Sequence, residues 1–335
     1  MKKIKNYFLY LCLLLYSIST LSIFHDNFFS KVIIWGHPLH SHTHSYIHWG
    51  FFRAFKHLGY EVYWVKEQQE LEGIDLHNAL FLTEGQVDEH LPKRTDCYYI
   101  LHNWNPEKYQ ELFSHNRCIL LQVYTHDCLQ HTVEKIDDYV YGDIHQKIIF
   151  MPWATDLLPP EIDYIKASVY KNNRTKTINW IGTIGSGRFG NYQEIDNFKK
   201  ACHDNNMTFN HFTNTTMEQN VSLIQSSYMA PALQGPFQCE KGYIPCRIFK
   251  NISYGQWGIT NNATVYDLFK GKIVYNADTY QLFYDAQTYI NNATVEDLYE
   301  LMDFVKDNHT YINRIETLLM FMKKALMIKE ENEKI

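Results

Sequence analysis

Two hydrophobic rhythms alternate along the chain. Lys31-Val32-Ile33-Ile34-Trp35 is a short, largely β-branched run, the pattern of a buried strand. From Tyr46 to Leu58 the apolar positions Ile47, Phe51, Ala54, Phe55 and Leu58 fall near helical spacing, and Gly59 stops the helix. Tyr60–Val65 returns to the strand pattern, completing a βαβ unit with parallel strands and a right-handed crossover. Further strands are predicted at Ala79–Leu82, Cys97–Leu101, Cys118–Val123 and Lys147–Met151. Each runs into polar residues: Thr83-Glu84, His102-Asn103, His126-Asp127 and Trp153-Ala154-Thr155-Asp156. Ligands gather at the carboxyl ends of strands in open parallel sheets, so these ends are where chemistry is expected.

Leu157-Leu158-Pro159-Pro160 interrupts the series. A short helix over 163–170 and a polar stretch to Lys176 read as a linker, 161–176. A second α/β series starts at Thr177–Gly182. Helices are predicted over 191–205, 223–229, 247–254, 293–304 and 311–329, with strands at 207–212 and from Ile259. Thr294, ahead of Glu296 and Asp297, is an N-cap signal. The fold class expected is α/β: two Rossmann-like domains, 31–160 and 177–330, facing a cleft and preceded by an N-terminal hydrophobic helix.

That helix comes from residues 1–28. Lys2, Lys3 and Lys5 precede an uncharged run from Asn6 to Phe24, long enough to cross most of a bilayer's ~30 Å hydrocarbon layer. It reads as a signal-anchor or a signal peptide, and the anchor is favoured because the apolar run continues past Ser17-Ile18-Ser19. The chain is then a single-pass type II membrane protein or enters the lumen of the secretory pathway. Sequons at Asn173, Asn206, Asn214, Asn220, Asn251, Asn262, Asn292 and Asn308 fit that route, although Asn251 falls within a fold motif unsuited to a glycan. A net charge of −6 argues against a nucleic-acid partner. Seven cysteines in 335 residues are too few for a disulfide scaffold.

Three constellations carry candidate chemistry. His37, His40, His42, His44 and His48 crowd the first strand-to-helix loop. No acidic residue lies among them and no HExxH is present, so a polar loop capping a helix is preferred to a zinc site, and no metal ligand is assigned. Gly182–Asn191, with Gly185, Gly187, Gly190 and Arg188, follows a strand and opens a helix. It lacks the GK[ST] of a P-loop but allows close backbone approach to a phosphate. Glu240–Gly255 is the most specific: Pro245 suits a first helical turn, and Arg247 lies there beside free N–H groups, a good diphosphate site.

With its Pro-x-Arg-x-Phe segment ending at Gly255, its opening βαβ and the Asn179–Gly185 loop, the chain resembles the GT-B glycosyltransferases of the group 1-like, nucleotide-sugar-dependent kind. The likeness spans roughly residues 31–330. It implies transfer of a sugar from a nucleotide-activated donor to a hydroxyl of a glycan, protein or lipid acceptor. No bound metal or cofactor is implied. The donor would be held by Gly185, Arg188, Glu240, Tyr243, Pro245, Arg247, Lys250 and Asn251. If the enzyme inverts, a base is needed in the first domain, and Asp127, His44 and His126 are the candidates, with His102 beside them. Many relatives carry Glu immediately after the Phe, where this chain has Lys250, which leaves the donor contact altered. Other readings are a non-catalytic carbohydrate-binding or structural protein on the same fold, a two-domain ligand-binding protein and a His-cluster metal hydrolase.

Overall fold

A computed structural model describes residues 29–332, except 43, 85–89, 103–109, 113–116 and 170–173. The hydrophobic run of residues 6–24 lies outside the described residues. Among those described, no helix is long and apolar enough to cross a membrane.

The first half is built on an eight-stranded sheet ordered β2-β1-β3-β4-β5-β8-β7-β6. Its strands are β1 (Lys31–Trp35), β2 (Glu61–Val65), β3 (Ala79–Glu84), β4 (Tyr98–His102), β5 (Cys118–Gln122), β6 (Glu134–Asp137), β7 (Val140–Asp143) and β8 (Ile148–Phe150). From β2 across to β8 every pairing is parallel, and β7 and β6 then extend the sheet antiparallel. Alternate residues of β1 enter different cores: Val32 and Ile34 face one layer, Ile33 and Trp35 the other. A parallel sheet covered on both faces requires such continuous apolar strands. Helix α1 (Ser45–His57) lays Ile47, Phe51, Ala54 and Phe55 on the first of these faces, as its spacing predicted.

The second half holds β9 (Thr177–Ile181) paired parallel with β10 (Thr208–Phe212), and β11 (Ile259–Thr260) paired parallel with β12 (Val274–Tyr275). The segment around Tyr228–Ala232 joins them: Tyr228 N donates to Thr177 O, and Ala232 bridges Thr260. Helices α2 (Pro159–Lys166), α3 (Tyr192–Asp204), α4 (Met217–Ser226), α5 (Pro236–Glu240), α6 (Cys246–Ser253), α7 (Ala263–Leu268), α8 (Thr279–Asn292) and α9 (Val295–Asn308) surround this smaller sheet, and α10 (Tyr311–Asn332) follows.

Five points of the sequence reading are corrected. The chain crosses between halves at Thr155–Asp156, ahead of the predicted linker: Ala154 belongs to the first core, and Leu157, Ile162 and Ile165 belong to the second. The prolines that read as a break instead start α2, whose first turn tolerates a missing N–H. Helix α4 begins at Met217, not 223, because Thr216 accepts from Gln219 N while Gln219 Oε1 accepts from Thr216 N. The β6–β7 hairpin was not foreseen, since the charged run Glu134–Asp137 lacks an apolar face and turns at Asp138-Tyr139, with Tyr139 at φ 58°. Finally, α10 leaves the second half and packs Tyr311, Ile315, Leu318, Phe321 and Met322 against α1 and the first sheet. The segment 177–330 is therefore not one packing unit.

The two crossings lie side by side, with Thr155 bridging Thr310. Arg314 on α10 fastens them. It is 2% exposed and donates to Pro152 O (2.8 Å), Trp153 O (3.1 Å), Asn308 O (3.2 Å) and His309 Nδ1 (2.8 Å). Arg314→Met strands these acceptors without donors. It should lower the unfolding free energy by about 3 kcal/mol or more, read as a shifted urea midpoint.

Candidate active site

A cleft of about 770 Å³ opens between the carboxyl ends of the first sheet's strands and the second half. One wall carries His40, His42 and His44 from the β1–α1 loop, His102 at the end of β4, Tyr124 and Trp153. The opposite wall carries Trp180–Gly182 at the end of β9, Gly185 and Phe189 of the glycine loop, the β10–α4 segment, and the start of α6. The His loop, the glycine loop and Arg247 thus line one cleft.

Helix α6 begins at Cys246 with Pro245 extended as its N-cap and no acidic residue in its first turn, so its free N–H groups carry uncompensated positive potential. Arg247 lies over the Trp180 ring, 3.8 Å from guanidinium carbon to centroid, and its Nη1 donates to Ile181 O at 2.6 Å. Burial pushes its pKa down to about 10, which keeps it a cation at neutral pH. Gly182 is needed beside it: φ is +108°, and a Cβ there would sit 2.9 Å from Arg247 Nη2. One turn on, Lys250 Nζ lies 2.9 Å from Asp156 Oδ2, and Tyr254 OH donates to Oδ1 of the same carboxylate at 2.7 Å. Burial alone would lower the Lys250 pKa, but the Asp156 charge and hydrogen bond together with Cys246 outweigh it, and the net shift is upward. The lysine thus stays charged directly after Phe249, where the sequence resemblance implied a glutamate.

The glycine loop is held from below. Gly185 N donates to Asn191 Oδ1 (3.3 Å), Tyr192 N to Gly185 O (2.9 Å) and Asn191 Nδ2 to Leu233 O (3.2 Å). At Gly235 a Cβ would fall 1.9 Å from Gly190 O, so two backbones meet where only glycine fits.

Of the predicted donor-side residues, Gly185, Tyr243, Pro245, Arg247, Lys250 and Asn251 line the cleft, and Arg188 and Glu240 do not. Arg188 lies outside over the Phe237 ring at 4.4 Å, and Glu240 is exposed, its carbonyl accepting from His126 Nδ1. Asn251 is 3% exposed and its Nδ2 donates to Ala230 O, a structural use. Among the candidate bases, His44 lines the cleft, its ring 5.1 Å edgewise from His102, which in turn meets Trp153 at 4.8 Å. Asp127 and His126 do not reach it. Their 3-10 turn, Thr125–Gln130, carries them to the seam with the second half. There Asp127 pairs with Lys241 Nζ at 2.9 Å, and His126 Nε2 accepts from Thr264 Oγ1 at 3.2 Å.

Sequence reading did not single out Trp180 or Tyr254, and it read Asn220 only as a sequon. The first had a visible signal, an aromatic two residues before the first glycine of the loop. No carboxylate occurs among the described residues lining the cleft, and none of them forms a His/Cys/Asp/Glu group suited to a metal ion. The sequon asparagines Asn220, Asn251 and Asn262 are buried, which leaves no room for a glycan in the folded chain. Asn214 lines the cleft, and Asn173 lies outside the described residues.

No family model matches the chain, and no curated protein sequence matches it. Among solved structures, the chain is similar to an alpha-glucosyltransferase in complex with UDP and a 13-mer DNA containing a central A:G mismatch. The two are 10% identical, with a TM-score of 0.57, over 87% of this chain and 99% of that one. It is also similar to an alpha-glucosyltransferase in complex with UDP, at 9% identity and TM-score 0.56, over 88% and 99% of the two chains. At such identities the likeness is one of architecture, and that architecture is the GT-B fold of glycosyltransferases.

Proposed function

We propose that this chain transfers a sugar from a nucleotide-activated donor to an acceptor hydroxyl of a glycan, protein or lipid. The observation that carries the reading is Arg247 at the open start of α6, facing the glycine loop and the His loop across one cleft. As the bond from sugar to diphosphate breaks, negative charge grows on the leaving oxygen. A fixed guanidinium and helix N–H groups stabilise that charge without reorganising. The fold of the two UDP-bound glucosyltransferases supports a nucleotide-sugar donor. The DNA in one of them belongs to that protein, and the net charge of −6 here favours a different acceptor.

The reading includes independence from a divalent metal. Magnesium is held by hard oxygen ligands, mainly carboxylates, and the described cleft residues offer cations in their place: Arg247 and Lys250. His44 is assigned as the group that takes the proton from the acceptor hydroxyl in an inverting reaction. Residues 6–24 are assigned as a membrane anchor, which fractionation of cells expressing the full chain would test.

A thermal-shift screen against UDP-, GDP- and dTDP-sugars, followed by a transfer assay with and without EDTA, tests the proposal. At least one sugar nucleotide should raise the melting temperature, and transfer should persist in the chelator. Absence of any shift would overturn the donor assignment. A second reading rests on the departure from the resemblance: Lys250 stands where a glutamate was implied, as in a degenerate, sugar-binding copy. Binding of the donor without turnover on any acceptor would select that reading.

A further inference from the structure

The donor reading leaves open how the cleft chooses a nucleobase, and one side chain on its second-half wall bears on this. Asn220 lies in the first turns of α4, lines the cleft and is 6% exposed. Thr215 Oγ1 donates to its Oδ1 at 3.1 Å, which turns the carbonyl end of the amide toward the protein. Its Nδ2 has no protein partner among the described residues. The other two amides that are buried in the lining, Gln234 and Asn251, are already committed. Gln234 gives Nε2 to Tyr243 O and takes Asn262 Nδ2 on its Oε1, and Asn251 gives Nδ2 to Ala230 O. Trp180, Ile224 and Leu233 supply apolar wall on the same side. A flat ring fits such walls, and its edge must meet a group that donates.

We infer that Asn220 reads the base of the donor nucleotide, its Nδ2 donating to a ring carbonyl, so that the cleft accepts keto bases and rejects amino bases. The inference rests on the nucleotide-sugar reading above. Uracil and guanine present a carbonyl oxygen at this edge, whereas cytosine and adenine present an amino group. A donor facing a donor leaves both unpaired and desolvated, and a site built around one hydrogen bond discriminates steeply against a ligand lacking its partner.

UDP and CDP isolate the contact, since their bases differ only at C4 and in the protonation of N3. Titration calorimetry on the wild-type full chain should show UDP binding about ten- to a hundredfold more tightly than CDP. Asn220→Asp, which offers only acceptors, should shift the ratio toward CDP by at least tenfold, with circular dichroism confirming the fold. Equal wild-type affinities for UDP and CDP would overturn the inference while leaving the nucleotide-sugar reading standing. So would a folded Asn220→Asp variant with an unmoved ratio. No binding of any nucleotide would remove both together.

Discussion

Replacing Arg247 by alanine should reduce sugar transfer by about 10²–10³-fold, the usual consequence of deleting one preorganised group that faces developing negative charge. The side chain is positioned before any ligand arrives: Trp180 supports its plane at 3.8 Å and Ile181 O fixes Nη1 at 2.6 Å. The loss should therefore fall on kcat as well as on donor affinity. Arg247→Lys should rescue little of it, because an ammonium neither stacks on the indole nor presents a fork of donors. The pH dependence follows from the same burial. With the guanidinium pKa lowered to about 10, diphosphate affinity should be level through the neutral range and fall once pH rises past about 10, as the cation is lost. Isothermal titration with UDP across that range checks the sign. Affinity that instead falls as pH rises through the neutral range would point to a histidine as the dominant charge.

His44→Ala is expected to lower kcat by about 10²–10⁴-fold, the range for a lost general base, while the donor KM changes little. His44 sits on the wall opposite Arg247, where an acceptor would enter. Asp127→Asn should behave differently. Its carboxylate serves the Lys241 pair at the seam, so turnover per folded molecule should hold near wild type. If Asp127→Asn abolished transfer and His44→Ala did not, the base assignment would be reversed.

The contrast between these two residues shows how far the sequence reaches. Hydrophobic rhythm located β1, α1 and β2 almost to the residue, because a buried parallel strand must be apolar on both faces and a covering helix must repeat its apolar stripe. It also located Pro245 and Arg247, since proline at a helix start has a local signature. Strand ends were legible as places for chemistry. The direction taken by the loop after each end was not. His102 closes β4 itself, whereas Asp127 lies beyond the end of β5, where a single 3-10 turn sends it to the seam. Asp156 was passed over because its role depends on Lys250 and Tyr254, 94 and 98 residues further along. The allegiance of α10 was hidden for the same reason: its apolar stripe fits either half, and tertiary contact decides.

That last helix also bears on how the chain is made. The first sheet is complete in sequence by Phe150, but the apolar surface of α1 and the sheet that α10 covers stays open until Tyr311, Ile315, Leu318 and Phe321 have been synthesised. Translation at about 5–20 residues per second leaves this surface open for many seconds while the second half is still emerging. Ribosome-stalled chains ending before Tyr311 should therefore be cut by protease within α1, whereas the full 335-residue chain should resist.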